Sequence, residues 1–336
     1  MRRREILLQA RPSRAGFAYL ACPVSDEAST LAKIAPPTWL LGRLACPACR
    51  SEELSAGERA VRCNACETSY DVEEGVPILL PSRDAEGAKA RQAEFFDKEA
   101  DPEYELDRPH GTPAWHGRLL EEKFRRSIAG LEGELAGATV VSVCGGSGLD
   151  AEFLARHGGR VACADISLSA VLRGAERGRR HGLEIAGVVA DAERLPFRDG
   201  AFQLAYVHDG LHHLEDPDTA LTEMARVASR AVSVNEPAQA AATAAAVAVG
   251  LSESEEEAGN EVRRMKLDEI ESALRRSGFD VVGAERYAML YRHDPGPASH
   301  LLSRRALLEP SLGLLAAANR VIGPIGNKLS VRAIRS

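Results

Sequence analysis

Apolar positions change their spacing along the chain, and beyond about Leu119 two patterns alternate. Short apolar runs are each followed by a stretch in which apolar residues recur every three or four positions. This alternation predicts an α/β fold, with parallel strands and helices on both faces of the sheet. The predicted strands are Thr139–Val143, Arg160–Ala164, Ile185–Val189, Phe202–Val207, Ala231–Asn235, Phe279–Tyr291 and Lys328–Ile334. The predicted helices are Leu119–Leu131, Leu149–His157, Leu168–His181, Asp216–Ala228, Lys266–Ser277 and 299–323.

The order of the last elements indicates how the sheet ends. A long strand, a helical insertion and a final strand suit an antiparallel pair, so we expect a seven-stranded, mostly parallel sheet with an antiparallel last strand. Residues 1–40 show no sustained period and are expected to be poorly ordered. Residues 41–81 form a cysteine-rich unit, and 82–118 form a polar linker with one helix around Lys89–Glu99. The α/β domain then occupies 119–336, and we expect the two modules to have separate cores.

The cysteine-rich unit carries two Cys-x2-Cys pairs, Cys46 with Cys49 and Cys63 with Cys66. Four thiolates at this spacing can converge tetrahedrally on one Zn²⁺, and a site with four protein ligands is closed and therefore structural. A unit this small buries little apolar surface, so the metal would supply much of its folding free energy. Four structural thiols without a metal remain the alternative.

The bulk composition restricts the class of protein. The chain has 336 residues, a formal net charge of −7 and seven cysteines, of which only four cluster. That cysteine usage favours a reducing compartment. No apolar run reaches the roughly 18 residues needed to span a bilayer, and the N-terminal apolar stretch is too short for a secretion signal. These features predict a cytoplasmic protein without a transmembrane segment.

The cysteine-rich unit resembles a known group of small zinc ribbons. The segment Leu44-Ala45-Cys46-Pro47-Ala48-Cys49, Tyr70 and the closing Gly75-Val76-Pro77-Ile78-Leu79 carry the resemblance. The group consists of zinc-ribbon proteins that activate tRNA and protein methyltransferases, and a similar ribbon precedes some ribosomal-RNA guanine methyltransferases. The resemblance covers about 40 residues.

A glycine turn in the α/β domain indicates a cofactor site. The strand Val140–Val143 runs into Cys144-Gly145-Gly146-Ser147-Gly148, and a helix follows. A strand, a glycine turn and a helix N-terminus let a ligand lie against the backbone. The next strand ends in Asp165, about 20 residues on, where a carboxylate can accept both hydroxyls of a ribose.

The segment downstream of the glycine turn indicates a specific family. Ala190-Asp191-Ala192-Glu193-Arg194-Leu195-Pro196-Phe197 precedes the fourth strand, and Leu211-His212-His213-Leu214 follows it. Together with the glycine turn, these residues resemble the type-11 group of class I S-adenosylmethionine-dependent methyltransferases, which includes enzymes of quinone biosynthesis. The resemblance implies a Rossmann-like fold, S-adenosylmethionine as cofactor and an adenine contact from Asp191. The implied cofactor-binding residues are Ser142, Cys144, Gly146, Gly148, Asp165, Ile166, Asp191, Ala192 and His208.

Three positions depart from the family pattern. Ser142 stands where the family usually has an acid that helps hold the methionine end, and Cys144 stands where it usually has glycine. Gln203 replaces an acid that commonly follows the phenylalanine opening the fourth strand. A non-catalytic methyltransferase fold acting as an adaptor therefore stays open, as does a nicotinamide dehydrogenase, because the two classes share glycine fingerprints.

Candidate bases for proton removal follow the fourth strand, at the sheet edge where ligands bind. His208, Asp209, His212 and His213 fall there, and histidine titrates near neutral pH. We take His208 and His212 as candidate catalytic residues, with His208 nearer the cofactor because it follows the strand directly. The alternative is that the His212-His213 pair only shapes the loop. Asn235-Glu236, after the fifth strand, is a further candidate for acceptor contact.

The sequence predicts the chemical class of the methyl acceptor but not its identity. By the resemblance, 238–265 and 296–326 would cover the acceptor pocket. The second segment is rich in leucine, which suits an apolar quinone, polyketide or lipid precursor. It could instead rest on a membrane surface with Arg304 and Arg305 outward, or simply pack on the sheet. The zinc ribbon and eight basic residues among the first 50 make an RNA methyltransferase the leading alternative.

Overall fold

A computed structural model describes residues 35–81, 102–239, 264–289 and 295–336, with six single positions between these ranges. Those positions are Lys89, Ala93, Glu94, Asp97, Lys98 and Tyr291. Residues 1–34 of the extension expected at 1–40 lie outside the described residues. So do most of the helix expected around Lys89–Glu99 and residues 240–263 of the covering segment expected at 238–265.

Eleven strands of the described chain form one continuous sheet. Their bounds are β1 Leu54–Ala56, β2 Ala60–Cys63, β3 Ser69–Glu73, β4 Val76–Leu79, β5 Thr139–Val143, β6 Arg160–Asp165, β7 Ile185–Ala190, β8 Phe202–His208, β9 Ala228–Pro237, β10 Phe279–Tyr287 and β11 Lys328–Arg335. The spatial order is β1-β2-β3-β4-β7-β6-β5-β8-β9-β11-β10. Strands β5 to β9 pair in parallel, while β11 pairs antiparallel with both β9 and β10. The predicted seven-stranded Rossmann-like sheet and its antiparallel last strand are confirmed.

Nine helices flank the sheet in the described chain, and their ends follow local sequence signals. Their bounds are α1 Thr38–Leu41, α2 Pro102–Asp107, α3 Ala114–Ser127, α4 Leu149–Arg156, α5 Leu168–His181, α6 Pro217–Val227, α7 Leu267–Arg276, α8 Pro297–Leu302 and α9 Arg305–Ile322. Asp216 caps α6 by accepting the amide of Thr219, with Pro217 in the first turn as predicted. Gly182 ends α5 in the left-handed conformation that favours glycine.

The N-terminal ribbon joins the sheet instead of standing apart from it. Strand β4 pairs in parallel with β7, placing Ile78 opposite Val189. Apolar side chains of both modules belong to one buried cluster. From the ribbon it includes Leu44, Val61, Tyr70 and Leu79, and from the α/β domain Val188, Phe197, Phe202 and Met224. The expectation of separate cores is therefore wrong, because the ribbon supplies the wall that covers the β7 edge.

The C-terminal helical segment packs on α3 at the other end of the molecule. Trp115, Leu119, Tyr287 and Met289 form a small buried cluster there. Leucines of α8 and α9 cover this cluster, namely Leu302, Leu308, Leu312 and Leu315. No residue of α9 is buried, so the helix lies on the surface. None of the described helices is long and apolar enough to cross a membrane.

Candidate functional site

A cavity of about 340 Å³ opens at the carboxyl ends of β5, β6, β7 and β8. This is the edge at which parallel α/β sheets bind ligands. Seven residues predicted to bind the cofactor line it: Cys144, Gly146, Asp165, Ile166, Asp191, Ala192 and His208. Ser142, Gly148 and His212 do not line it.

The glycine turn after β5 requires its glycines for two different reasons. Gly146 has φ +49°, and a Cβ added there would meet nothing within 4 Å, which leaves the space above it open for a ligand. A Cβ on Gly148 would lie 2.8 Å from the Cα of Gly174, so this glycine lets α4 and α5 approach each other. Its role is packing, and that explains its absence from the cavity wall. Cys144 has φ +52°, a conformation in which a side chain is strained and glycine is favoured.

Asp165 closes β6 with a carboxylate that the backbone fixes in place. Its Oδ2 accepts the Gly146 amide at 2.9 Å, and its Oδ1 accepts the Ser167 amide at 3.0 Å. Burial raises the pKa of this carboxyl, although the same amides oppose the rise. Each carboxylate oxygen keeps a second lone pair, so the group can still accept two hydroxyls from a ligand in the cavity.

Asp191 holds the loop after β7 and also binds a lysine of the linker. Its Oδ1 accepts the amide of Glu193 at 2.9 Å, which starts the turn Ala192–Arg194. Its Oδ2 lies 2.7 Å from the Nζ of Lys89, which also lies 2.8 Å from the Glu193 carboxylate. The contact of Lys89 with this loop was not predicted, since Lys89 lies 102 positions from Asp191.

The first cysteine knuckle of the ribbon supports the same loop from outside. Arg194 donates from Nε to the carbonyl of Pro47 and from Nη2 to that of Ala48, the latter at 2.7 Å. In return Arg50 donates to the carbonyl of Leu195 at 2.8 Å. Residues between the first two cysteines are thus hydrogen-bonded to the loop that begins at Asp191.

The four ribbon cysteines converge on one point. The Sγ atoms of Cys46 and Cys66 lie 3.6 Å apart, as do those of Cys49 and Cys63, and all four lie within 4.8 Å of one another. Sulfurs on a tetrahedral zinc with bonds of about 2.3 Å would be separated by about 3.8 Å. The arrangement therefore fits a four-coordinate metal ion.

The opposite end of the cavity is built from charged side chains. Asp209 follows β8 with φ +54° and lies between two ammonium groups, 2.8 Å from Lys123 Nζ and 2.6 Å from Lys328 Nζ. Burial would raise the pKa of Asp209, but the two lysines outweigh it and hold the pKa well below its usual value. Asp209 was predicted to lie here, whereas Lys123 on α3 and Lys328 on β11 were not.

His208 ends a chain of hydrogen bonds that fixes its tautomer. Ser127 Oγ lies 2.7 Å from the carbonyl of Phe124, so its single proton is committed to that oxygen. Tyr206 OH, 2.8 Å from Ser127 Oγ, must then donate to Ser127, and His208 Nδ1 must donate to Tyr206 across 3.1 Å. The proton of the neutral ring therefore sits on Nδ1. Its Nε2 has no hydrogen-bond partner among the described residues, which leaves a free lone pair.

Burial and the charge of Lys123 keep His208 neutral, and the carboxyl group of Asp150 lies close to the same ring. Desolvation, followed by the positive charge of Lys123, lowers the pKa of His208 well below its usual value. Asp150, at the start of α4, lines the cavity with its Oδ1 3.7 Å from His208 Nδ1. Burial raises the pKa of Asp150 to about 8, which keeps this carboxyl mostly neutral at pH 7. Asp150 was not predicted as a site residue.

Several other predicted residues serve the loop rather than the cavity. His212 Nδ1 lies 2.7 Å from Glu236 Oε2, and Glu236 Oε1 accepts the amides of Gly210 and Leu211. Asn235 is fully buried and accepts a hydrogen bond from the hydroxyl of Tyr287 at 2.9 Å. Glu236 and His212 therefore hold the loop after β8, Asn235 connects β9 to β10 through Tyr287, and His213 lines the cavity instead. Ser142 is fully buried in β5, beneath the turn.

The described part of 296–326 does not cover the cavity, contrary to the sequence expectation, because its leucines pack on α3. The walls of the cavity near His208 and Asp209 are instead formed by Leu120 and Phe124 of α3, by Tyr291 and by Arg108. The ring of Phe124 packs edge-on against the ring of His208, with the two ring centroids 5.1 Å apart.

Comparison with known proteins agrees with this site. Residues 141–232 match the methyltransferase domain family. Demethylmenaquinone methyltransferase of Thermobifida fusca is 33% identical over 110 residues, which are 32% of this chain and 46% of that protein. The ubiquinone/menaquinone biosynthesis C-methyltransferase UbiE of Hahella chejuensis is 38% identical over 113 residues, 32% of this chain and 45% of that one. The chain thus spans just under half the length of these relatives.

The fold of the methyltransferase domain is also found in solved structures. Magnesium protoporphyrin IX methyltransferase from Synechocystis PCC 6803, determined with bound SAH, aligns with a TM-score of 0.52 at 15% identity. The alignment covers 74% of this chain and 100% of that protein. The matched segment 141–232 contains the glycine turn, Asp165, Asp191 and His208, but neither the ribbon nor the lysines beside Asp209.

Proposed function

We propose that this chain is a methyltransferase that moves the methyl group of S-adenosylmethionine to a small or medium, rather apolar acceptor. The proposed acceptor belongs to the class of quinone, polyketide or lipid precursors. The observation that carries the proposal is the alignment of Gly146, Asp165 and Asp191 along one wall of a cavity, within the segment matched by the methyltransferase domain family.

The residues on this wall fit an adenosine. Gly146 leaves its backbone open to a ligand, Asp165 offers lone pairs for the ribose hydroxyls, and Asp191, on the same cavity wall, would accept the adenine amino group. Bound S-adenosylmethionine supplies an electrophilic methyl group on a sulfonium, which leaves the protein to position the acceptor and take its proton.

His208 is the proposed general base. The free lone pair is on Nε2, and the lowered pKa keeps the ring neutral and ready to accept a proton at neutral pH. Asp209, 3.8 Å from Nε2, would stabilise the imidazolium formed, whereas Lys123 opposes it. Phe124 and Tyr291 offer the acceptor aromatic walls at this end.

The RNA alternative is disfavoured by the charge of the ribbon. Residues 46–80 hold three arginines against seven acids, a net charge of −4. A surface that binds phosphates needs the opposite sign. The adaptor alternative predicts no affinity for S-adenosylmethionine, and it differs from the main proposal in that measurement.

The four cysteines hold one structural zinc in this proposal. The support is the convergence of the Sγ atoms of Cys46, Cys49, Cys63 and Cys66. Elemental analysis of protein purified without chelator should find one zinc per chain, and protein that is folded without zinc would contradict the assignment.

The function is tested in two steps. Calorimetry should first show binding of S-adenosylmethionine to the full chain, and its absence would leave the adaptor. Incubation with radiolabelled cofactor and a set of hydroxyquinones, phenols and RNA should then label an apolar small molecule. Labelling of RNA alone would overturn the acceptor class while keeping the methyltransferase.

A further inference from the structure

The exposed apolar side chains of the described residues are concentrated in one segment. Of seven large hydrophobic residues with high exposure, six lie between 301 and 325, and the exception is Val282. Leu314 is 73% exposed and Val321 is 79% exposed, values at which these side chains have almost no contact with the protein. Clustered exposed apolar surface marks an interaction site, whereas single exposed apolar residues are ordinary.

These side chains form a stripe along α9. A spacing of seven residues separates 307 from 314 and 314 from 321, so these three positions share one helix face. The same face includes 310 and 317. We call this the outer face, made of Leu307, Pro310, Leu314, Ala317 and Val321, all of them exposed. The opposite face packs on the cluster around Trp115 and Tyr287. Helix α9 is thus apolar on both sides, although only one side has a partner among the described residues.

The charges around the outer face have one sign. Arg304 and Arg305 precede the helix or open it, and Arg320 lies near its end, all three exposed. Between 295 and 336 the only acid is Glu309, which pairs with Arg118 at 3.2 Å. A partner that covers this surface must offer apolar contact and negative charge together.

We infer that the outer face of α9 binds the surface of a bilayer that contains anionic phospholipids. An apolar helix face flanked by arginines lies in the interface, with the side chains among the acyl chains and the guanidinium groups at the phosphates. A second copy of the chain fits less well, because a two-fold interface places the same arginines against one another.

The position of α9 relative to the cavity suggests why binding to a bilayer would serve the reaction. Tyr291 lines the cavity and also packs against the cluster that the inner face of α9 covers. The helix and a residue of the cavity wall therefore pack against the same buried cluster. A lipid-soluble acceptor would be taken up next to the bilayer, and this consequence rests on the proposed function, whereas binding to the bilayer does not.

The test is co-sedimentation of the full chain with vesicles of phosphatidylcholine containing phosphatidylglycerol, compared with vesicles of phosphatidylcholine alone. We expect binding to the anionic vesicles that weakens with salt. Leu314→Glu with Val321→Glu should weaken it at least about tenfold. Arg304→Gln and Arg305→Gln should each weaken it about fivefold.

Val282→Glu provides the matched control, since Val282 is 51% exposed on β10, outside the outer face, and its variant should bind as the unchanged protein does. The glutamate variants should keep the circular-dichroism spectrum and the Tm of the unchanged protein, which shows that they are folded whether or not the proposed function holds. Unchanged vesicle binding in the Leu314→Glu, Val321→Glu protein would overturn the inference. So would a dimer in light scattering that this variant dissociates, because a second copy would then cover the face.

Discussion

The two ends of the cavity hold their functional groups by different means. At the adenosine end, Asp165 and Asp191 accept backbone amides from residues close in sequence. At the reacting end, Asp209 is held by Lys123 and Lys328, which lie 86 and 119 positions away. The first end is held mainly by backbone amides, with one long-range ion pair from Lys89 to Asp191, while the second depends on ion pairs in a desolvated setting. Binding and chemistry should therefore be separable by substitution.

The largest effect is expected at the reacting end. His208→Ala removes the proposed base, and turnover should fall by about 100-fold or more, the usual contribution of a general base. The dissociation constant for S-adenosylmethionine should stay within about twofold, as measured by calorimetry. An unchanged turnover would show that proton removal does not pass through His208.

Tyr206→Phe serves as a companion to this variant, because it removes only the hydroxyl that accepts from His208 Nδ1. The nitrogen-15 shifts of His208 should show the Nδ1-protonated ring in the unchanged protein and a mixture of tautomers in the variant. A ring already protonated on Nε2 in the unchanged protein would contradict the assigned chain of hydrogen bonds.

A smaller effect is expected at the adenosine end. Asp165→Ala removes an acceptor of charge-assisted hydrogen bonds, each worth about 1.5–3 kcal/mol. Affinity for S-adenosylmethionine should fall at least about tenfold. Asp199→Ala is the matched control, because Asp199 is 83% exposed and does not line the cavity. Equal affinity of the two folded variants would remove the ribose assignment.

The ribbon connects the proposed zinc site to the end of the cavity that we propose for adenosine. Cys63→Ser should abolish the metal site, and because the ribbon knuckle holds Arg194, affinity for S-adenosylmethionine should fall about threefold to tenfold. Arg194→Gln breaks the same connection with zinc retained and should reproduce part of that loss. If Cys63→Ser loses zinc and still binds the cofactor normally, the shared core does not transmit the change.

The smallest effect concerns stability and pH. An ordinary aspartate has a pKa near 3.9, while burial raises that of Asp150 to about 8, so the folded state binds this proton more tightly than the unfolded state. The stability it contributes is complete below pH 4 and is lost as pH rises to about 8. Because an asparagine at position 150 cannot ionise, the Asp150→Asn protein does not lose this stability as the pH rises.

The Tm of the Asp150→Asn protein should therefore exceed that of the unchanged protein by at least about 3 °C at pH 8, equivalent to roughly 1 kcal/mol. The difference should shrink steadily toward pH 5 in thermal scans without cofactor. A difference independent of pH would mean that Asp150 is ionised in the folded protein.

The same contrast explains which features were predictable from sequence. The strands from Thr139 to Asn235, the glycine turn and Asp165 depend on local patterns, and their positions were predicted correctly. Lys123 could not be recognised, because a lysine in an amphipathic helix is normally solvated, and only tertiary packing turns it toward Asp209. Gly148 was placed at the ligand by resemblance and His212 by its position after the fourth strand, whereas their contacts serve the packing of two helices and the loop.

The pairing of β4 with β7 has a consequence for the order in which the chain is made. Ile78 leaves the ribosome 111 residues before its partner Val189. At 5–20 residues per second, the finished ribbon waits roughly 6–20 s for the strand it will cover. During that interval its apolar wall, with Leu44 and Leu79, faces no sheet. A ribbon that takes up its metal early would present a preformed edge on which the next strands can assemble.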